Sequence, residues 1–131
     1  MIGIDTNILI RYLTQDDPVQ SAHATRIIER VFSEEDPGFI SLVTIAETVW
    51  VLRSTYGLSD PAIAAVVERI LRTRSLATQN EREVAIAMLA LKSGTGSFDD
   101  ALIGALGAWA GCTTTLTFDR KAARLNTFQL A

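Results

Sequence analysis

Apolar residues in this chain fall into short runs and helical repeats, and the two alternate. Met1 to Ile4 is a brief apolar run ending at Asp5, and from Thr6 to Leu13 the apolar positions Ile8, Leu9, Tyr12 and Leu13 recur at helical spacing. Asp16-Asp17-Pro18 breaks the pattern and supplies a cap for a helix predicted over Val19 to Phe32. An acidic loop from Glu34 to Gly38 leads to Phe39-Ile40-Ser41, which reads as a second strand. Thr44 to Tyr56 reads as a helix stopped by Gly57, and Ser59-Asp60-Pro61 opens another with apolar residues Ile63, Val66, Val67, Ile70 and Leu71. Ser75 to Thr78 is a third short strand, and Asn80 with Glu83 matches a capping box for a helix to about Lys92. After the flexible break Ser93 to Ser97, Phe98 to Trp109 carries no charge beyond Asp100 and is predicted to be a deeply buried helix. Its Gly104, Gly107 and Ala108, with Gly111 beyond, would allow close approach by neighbours. Thr113 to Phe118 and Thr127 to Leu130 read as strands around a short helix, Arg120 to Leu125.

Short strands alternating with helices predict an α/β fold: a three-layer α/β/α domain with a short central parallel sheet, spanning residues 1–131 as one unit. Ligands of such sheets bind beyond the carboxyl ends of the strands. Four acids stand at the edges of apolar elements on that side of the expected sheet. Asp5 and Asp119 follow strands, while Glu47 and Asp100 sit near the starts of helices.

Each acid also has an ordinary structural reading. Asp5 and Asp119 fit N-caps, Thr44 to Glu47 matches a capping box, and Ser97 to Asp100 resembles one. Together, however, four carboxylates on one rim would repel one another unless a cation sits among them. Only Asp119 has basic residues beside it, Arg120 and Lys121, and hard oxygen ligands suit Mg²⁺ or Mn²⁺.

Composition adds bounds. The chain has 131 residues and is 48% hydrophobic, which excludes disorder and permits a proper core. The net charge of −3 argues against a nucleic-acid partner only superficially. Setting the four acids aside takes Asp plus Glu from 15 to 11 against 12 Lys plus Arg. The single cysteine, Cys112, fits a reducing compartment and reads as a small buried hydrophobe; the single histidine, His23, reads as a surface helix residue. One Cys and one His cannot make a zinc site. Asp5 interrupts the first apolar run, so it is no signal peptide, and no run is long enough to span a membrane. A cytoplasmic protein is expected.

The order Asp5, Glu47, Asp100 and Asp119 resembles the PIN-domain nucleases. The matching motifs are I-D-T-N at Ile4 to Asn7, A-E at Ala46-Glu47, D-A-L-I at Asp100 to Ile103, and T-F-D at Thr117 to Asp119. The likeness covers essentially the whole chain, and its short stand-alone form most resembles VapC-type toxins of toxin–antitoxin pairs. The resemblance implies a Mg²⁺- or Mn²⁺-dependent endoribonuclease acting on tRNA or ribosomal RNA, leaving a 5′-phosphate and a 3′-hydroxyl. It implies that Asp5 and Asp100 ligate metal directly, and that Glu47 and Asp119 act through water or complete a second position. A carboxylate-bound ion would acidify water and neutralise charge on the phosphate. Asn7 and Thr117 are candidates to orient the acids, or else to bond nearby backbone. Asp99, beside Asp100, reads first as a helix cap. Arg120, Lys121 and Arg124 are candidate RNA contacts, with Arg11 and Arg53 behind them. The implied partners are a VapB-like antitoxin, which would place an Arg or Lys among the acids, and a second copy in a homodimer. The apolar stripe Ile63, Val66, Val67 and Ile70 offers either a partner face or plain core.

Two other readings stay open. A PIN-like module without activity would bind RNA or protein only. A metal-dependent phosphatase would want D-x-D after the first strand, where this chain has Asp5-Thr6-Asn7.

Overall fold

The computed structural model describes residues 1–131 and contains five short parallel strands and six α-helices. They are β1 (Ile2–Gly3), α1 (Thr6–Thr14), α2 (Pro18–Arg26), β2 (Gly38–Ile40), α3 (Leu42–Ser54), α4 (Asp60–Arg72), β3 (Leu76–Thr78), α5 (Glu81–Ser93), α6 (Phe98–Trp109), β4 (Thr115–Thr117) and β5 (Phe128–Leu130). The expected three-layer α/β/α architecture is present. Its sheet, however, is in two pieces. β1, β2 and β3 pair in that order, with Gly3 opposite Phe39 and Phe39 opposite Ala77, while β4 pairs only with β5. No backbone hydrogen bond joins β1 to β4.

The core lies among the helices and the three-stranded piece. Leu9, Ile28, Ile40, Ile45, Leu52, Ile63, Val67, Ile70 and Phe98 are fully buried there. Ile63, Val67 and Ile70 are thus interior and Val66 is partly buried against them, so that stripe packs as core. No helix is long and apolar enough to cross a membrane.

Local chemistry corrects several element boundaries. Ser41, not Thr44, caps α3: its Oγ accepts from the Thr44 amide at 3.1 Å, so the helix begins at Leu42 and Glu47 falls in its second turn. Asn80 stands at the cap position of α5 but in a left-handed conformation (φ 49°), and its amide donates to the Glu83 carboxylate at 3.0 Å instead of serving the backbone. The helix predicted to run to Phe32 is α-helical only to Arg26, then widens into a π-type turn from Ile27 to Val31. α6 is not buried all round: Phe98, Ala101, Leu102, Gly104 and Ala105 face inward, whereas Ile103 and Trp109 are exposed. Cys112 is exposed too, because it follows the turn at Gly111 (φ 97°) that carries the chain out of α6.

The glycines of α6 do what their spacing suggested. A Cβ at Gly104 would overlap the Thr127 side chain and lie 2.9 Å from the Phe128 ring, and one at Gly107 would lie 2.7 Å from Thr115 Oγ1. The bare backbone of α6 is therefore the seat of β4 and β5.

Candidate active site

Asp5 occupies the turn between β1 and α1 as the N-cap of α1. Its backbone is extended (φ −85°, ψ 161°), and Oδ1 accepts from the Thr6 amide at 2.7 Å. One oxygen is thereby committed to the helix. Glu47 projects from α3 without a capping duty, since Ser41 has taken that role. The two acids line one cavity of about 240 Å³, together with Thr6, Asn7, Ile10, Arg11 and Val51.

Asp100 sits in the first turn of α6, where its amide donates to the Ser97 cap at 3.1 Å. Ser97 is the cap, so Asp99 is not. Asp99 is an exposed first-turn acid, placed where the helix dipole favours negative charge. Asp119 follows β4. Its Oδ1 accepts from the Lys121 amide at 2.8 Å, and its own amide donates to Thr117 Oγ1 at 3.0 Å. Thr117 therefore serves backbone, as one of its two readings allowed, and in doing so shapes the turn that carries Asp119.

Asp100 and Asp119 line a second, larger cavity of about 540 Å³, with Asp60, Gly94 to Ser97, Lys121 and Arg124. Asp60 is the residue that sequence reasoning missed here. Ser59-Asp60-Pro61 announced only a helix start, and nothing in it marked the fold's return of α4 to the acids of α6. Asp60 pairs with Arg53 at 2.9 Å, which accounts for that arginine. Lys121 and Arg124 form no ion pair and face the same hollow as the two acids. Arg120 is exposed and outside the cavity lining.

The structure thus gathers the four predicted acids as two pairs, Asp5 with Glu47 and Asp100 with Asp119. No three acidic, histidine or cysteine side chains stand close enough to share one ion. The donor chemistry of each pair still suits Mg²⁺, which is commonly held by one or two carboxylates, with waters and substrate phosphate completing its shell. Either pair supplies that many.

A parallel α/β domain with carboxylates beyond the ends of β1 and β4 does not by itself name a chemistry, because one fold hosts many functions. The family model for the PIN domain matches residues 2–127, and the chain belongs to that family, a metal-dependent nuclease fold. Comparison with curated proteins gives no match.

Proposed function

We propose that this protein is a Mg²⁺- or Mn²⁺-dependent endoribonuclease and the toxin of a toxin–antitoxin pair. The observation that carries this reading is the cavity in which Asp100 and Asp119 face two uncommitted cations, Lys121 and Arg124. A phosphodiester needs both: carboxylates to hold a divalent ion, and cations to hold the phosphate's own negative charge. Asp5 and Glu47 would hold an ion in their own cavity, and the bound metal would supply charge neutralisation and a more acidic water. Lys121 and Arg124 contact phosphate but read no sequence, so the choice between tRNA and ribosomal RNA lies elsewhere.

A cytoplasmic antitoxin partner belongs to the same proposal. Val43 and Trp50 are exposed on the face of α3 that also carries Glu47, at the i, i+4, i+7 spacing of one helix side. A small VapB-like segment covering them would bring a basic side chain to Glu47, and an acid cluster accepts a guanidinium readily.

The test is incubation of purified protein with total tRNA, with and without Mg²⁺ or Mn²⁺, beside Asp5→Asn. Metal-dependent cleavage that disappears with chelator and in the variant is expected. Equal cleavage by the variant would attribute the activity to a contaminant and overturn the reading. Expression without a partner should arrest growth; harmless expression of an active enzyme would count against the toxin role.

A further inference from the structure

Two hollows meet on α1. The first is the one lined by Asp5 and Glu47; the second, about 310 Å³, lies between α1 and α2 and is lined by Asn7, Ile8, Arg11, Gln20, His23 and Ala24. Asn7 and Arg11, one turn apart, line both. The two hollows therefore run together over these side chains as a sill, and they differ sharply in chemistry. The second has no carboxylate in its lining. Its polar groups are two amides, a guanidinium and an imidazole.

Arg11 is also held in place more firmly than a surface arginine needs to be. Its Nε donates to Gln20 Oε1 at 2.8 Å, and Nη1 donates to Asp16 Oδ1 at 3.0 Å. Asp16 is itself fixed by the Tyr56 hydroxyl at 2.6 Å and the Thr14 hydroxyl at 2.9 Å. Residues from α1, the α1–α2 loop, α2 and the chain beyond α3 thus set one guanidinium. Nη2 has no partner in the protein, and the Gln20 amide nitrogen is left to donate because its oxygen faces Arg11. Asn7 and His23 make no side-chain hydrogen bond either. A guanidinium held through Nε and Nη1 has only Nη2 left to offer, and that nitrogen suits a phosphate oxygen.

We propose that this carboxylate-free hollow seats the sugar–phosphate backbone of the RNA strand beside the bond being cut. Arg11 grips the neighbouring phosphate, and Asn7, Gln20 and His23 donate to that phosphate or to the adjoining 2′-hydroxyl. The proposal rests on the nuclease reading and extends it: the acids act on one phosphate, while α1 and α2 hold the next. Arg11 would then be a positioning residue for the substrate strand.

The experiment measures binding of a fluorescein-labelled single-stranded RNA to Asp100→Asn protein across a salt series, and KM and kcat of the otherwise unaltered enzyme. Arg11→Ala is expected to weaken binding about 10-fold and to lower the slope of log affinity against log salt by about 1, the signature of one lost phosphate contact. KM should rise with kcat little changed. Arg11→Lys should keep the slope but recover only part of the affinity, because a point charge replaces a fork. Since Arg11→Ala also removes the link to Asp16, His23→Ala serves as the second variant. It breaks no bond within the protein and should weaken binding about 3-fold at an unchanged melting temperature. Unaltered affinity and slope in Arg11→Ala and His23→Ala, with the parent protein binding RNA, would overturn the groove alone. A parent protein that neither binds nor cleaves RNA would overturn the nuclease reading and the groove with it.

Discussion

The two acid pairs are carried by parts of the molecule that are built differently. Asp5 and Glu47 stand on α1 and α3, whose inner faces contribute Leu9, Ile10, Ile45, Val49 and Leu52 to the core. Asp100 and Asp119 stand on α6 and the turn after β4, and neither β4 nor β5 contains a buried residue. β4 keeps Leu116 exposed, and Phe118 just beyond it is 91% exposed, the most exposed large apolar side chain in the chain. Asp5, Glu47 and Asp100 are set by burial, since α6 itself adds Phe98, Ala101 and Leu102 to the core. Asp119 is set by a contact, the glycine face of α6 against Thr115, Thr127 and Phe128. Regions with few buried apolar contacts open at lower cost than core elements, so Asp119 is the adjustable member of the second pair.

The sharpest way to break this comparison is to ask whether the halves work together. Asp5→Asn and Asp100→Asn should each lower cleavage on the order of 10³-fold, comparable to losing a group that stabilises transition-state charge. If the pairs act on one phosphate, the double variant will be no worse than either single one, because groups acting as a unit are strongly non-additive. Multiplying defects would show two independent sites. Full activity in Asp100→Asn would remove that half from the chemistry altogether. Circular dichroism should show all three variants folded, since the Asp100 side chain carries no cap and Asn caps a helix about as well as Asp at position 5.

A smaller effect isolates the contact that places Asp119. Gly104→Ala sets a methyl against Thr127 and the Phe128 ring, an overpacking expected to cost about 1–3 kcal/mol. Better helix propensity returns up to about 1 kcal/mol of it. The net loss of melting temperature should be modest, yet cleavage should fall further than stability, because β5 and the paired β4 that leads to Asp119 shift while Asp5 and Glu47 do not. A variant with unchanged melting temperature and unchanged cleavage would show that the glycine seat does not position Asp119.

The same contrast explains what could be read from the chain alone. The strands, the helices and the four acids at their edges were accessible, because periodicity and capping signals are local, whereas the division of those acids into two pairs was not. The cap of α3 was misplaced by three residues because Ser41 and Thr44 both satisfy the local rule, and only the backbone bond at Ser41 separates them. The split of the sheet, the arrival of Asp60 beside Asp100, and the shared sill of Asn7 and Arg11 were not legible. Each depends on where a distant element packs, and no local pattern in the sequence encodes that.

The gentlest probe of the core-built half is pH. The Asp16 carboxylate is held below the usual carboxylate range, first by the Tyr56 hydroxyl and then by Thr14, against an opposing cost of desolvation that ranks ahead of the help from Arg11. A depressed folded value contributes stability at pH above the unfolded aspartate value of about 3.9, and that contribution disappears as pH falls through the folded value. The relevant window therefore lies below about pH 4, well away from neutral assay conditions. Melting curves of the parent protein and Asp16→Asn should differ most near neutrality and converge as acid removes the same interaction from the parent. Because Asp16 is exposed, salt should shrink the gap. Curves that run parallel through that window would show that Asp16 does not brace α1 against the end of α3. The orientation of Arg11 would then have to come from Gln20 alone.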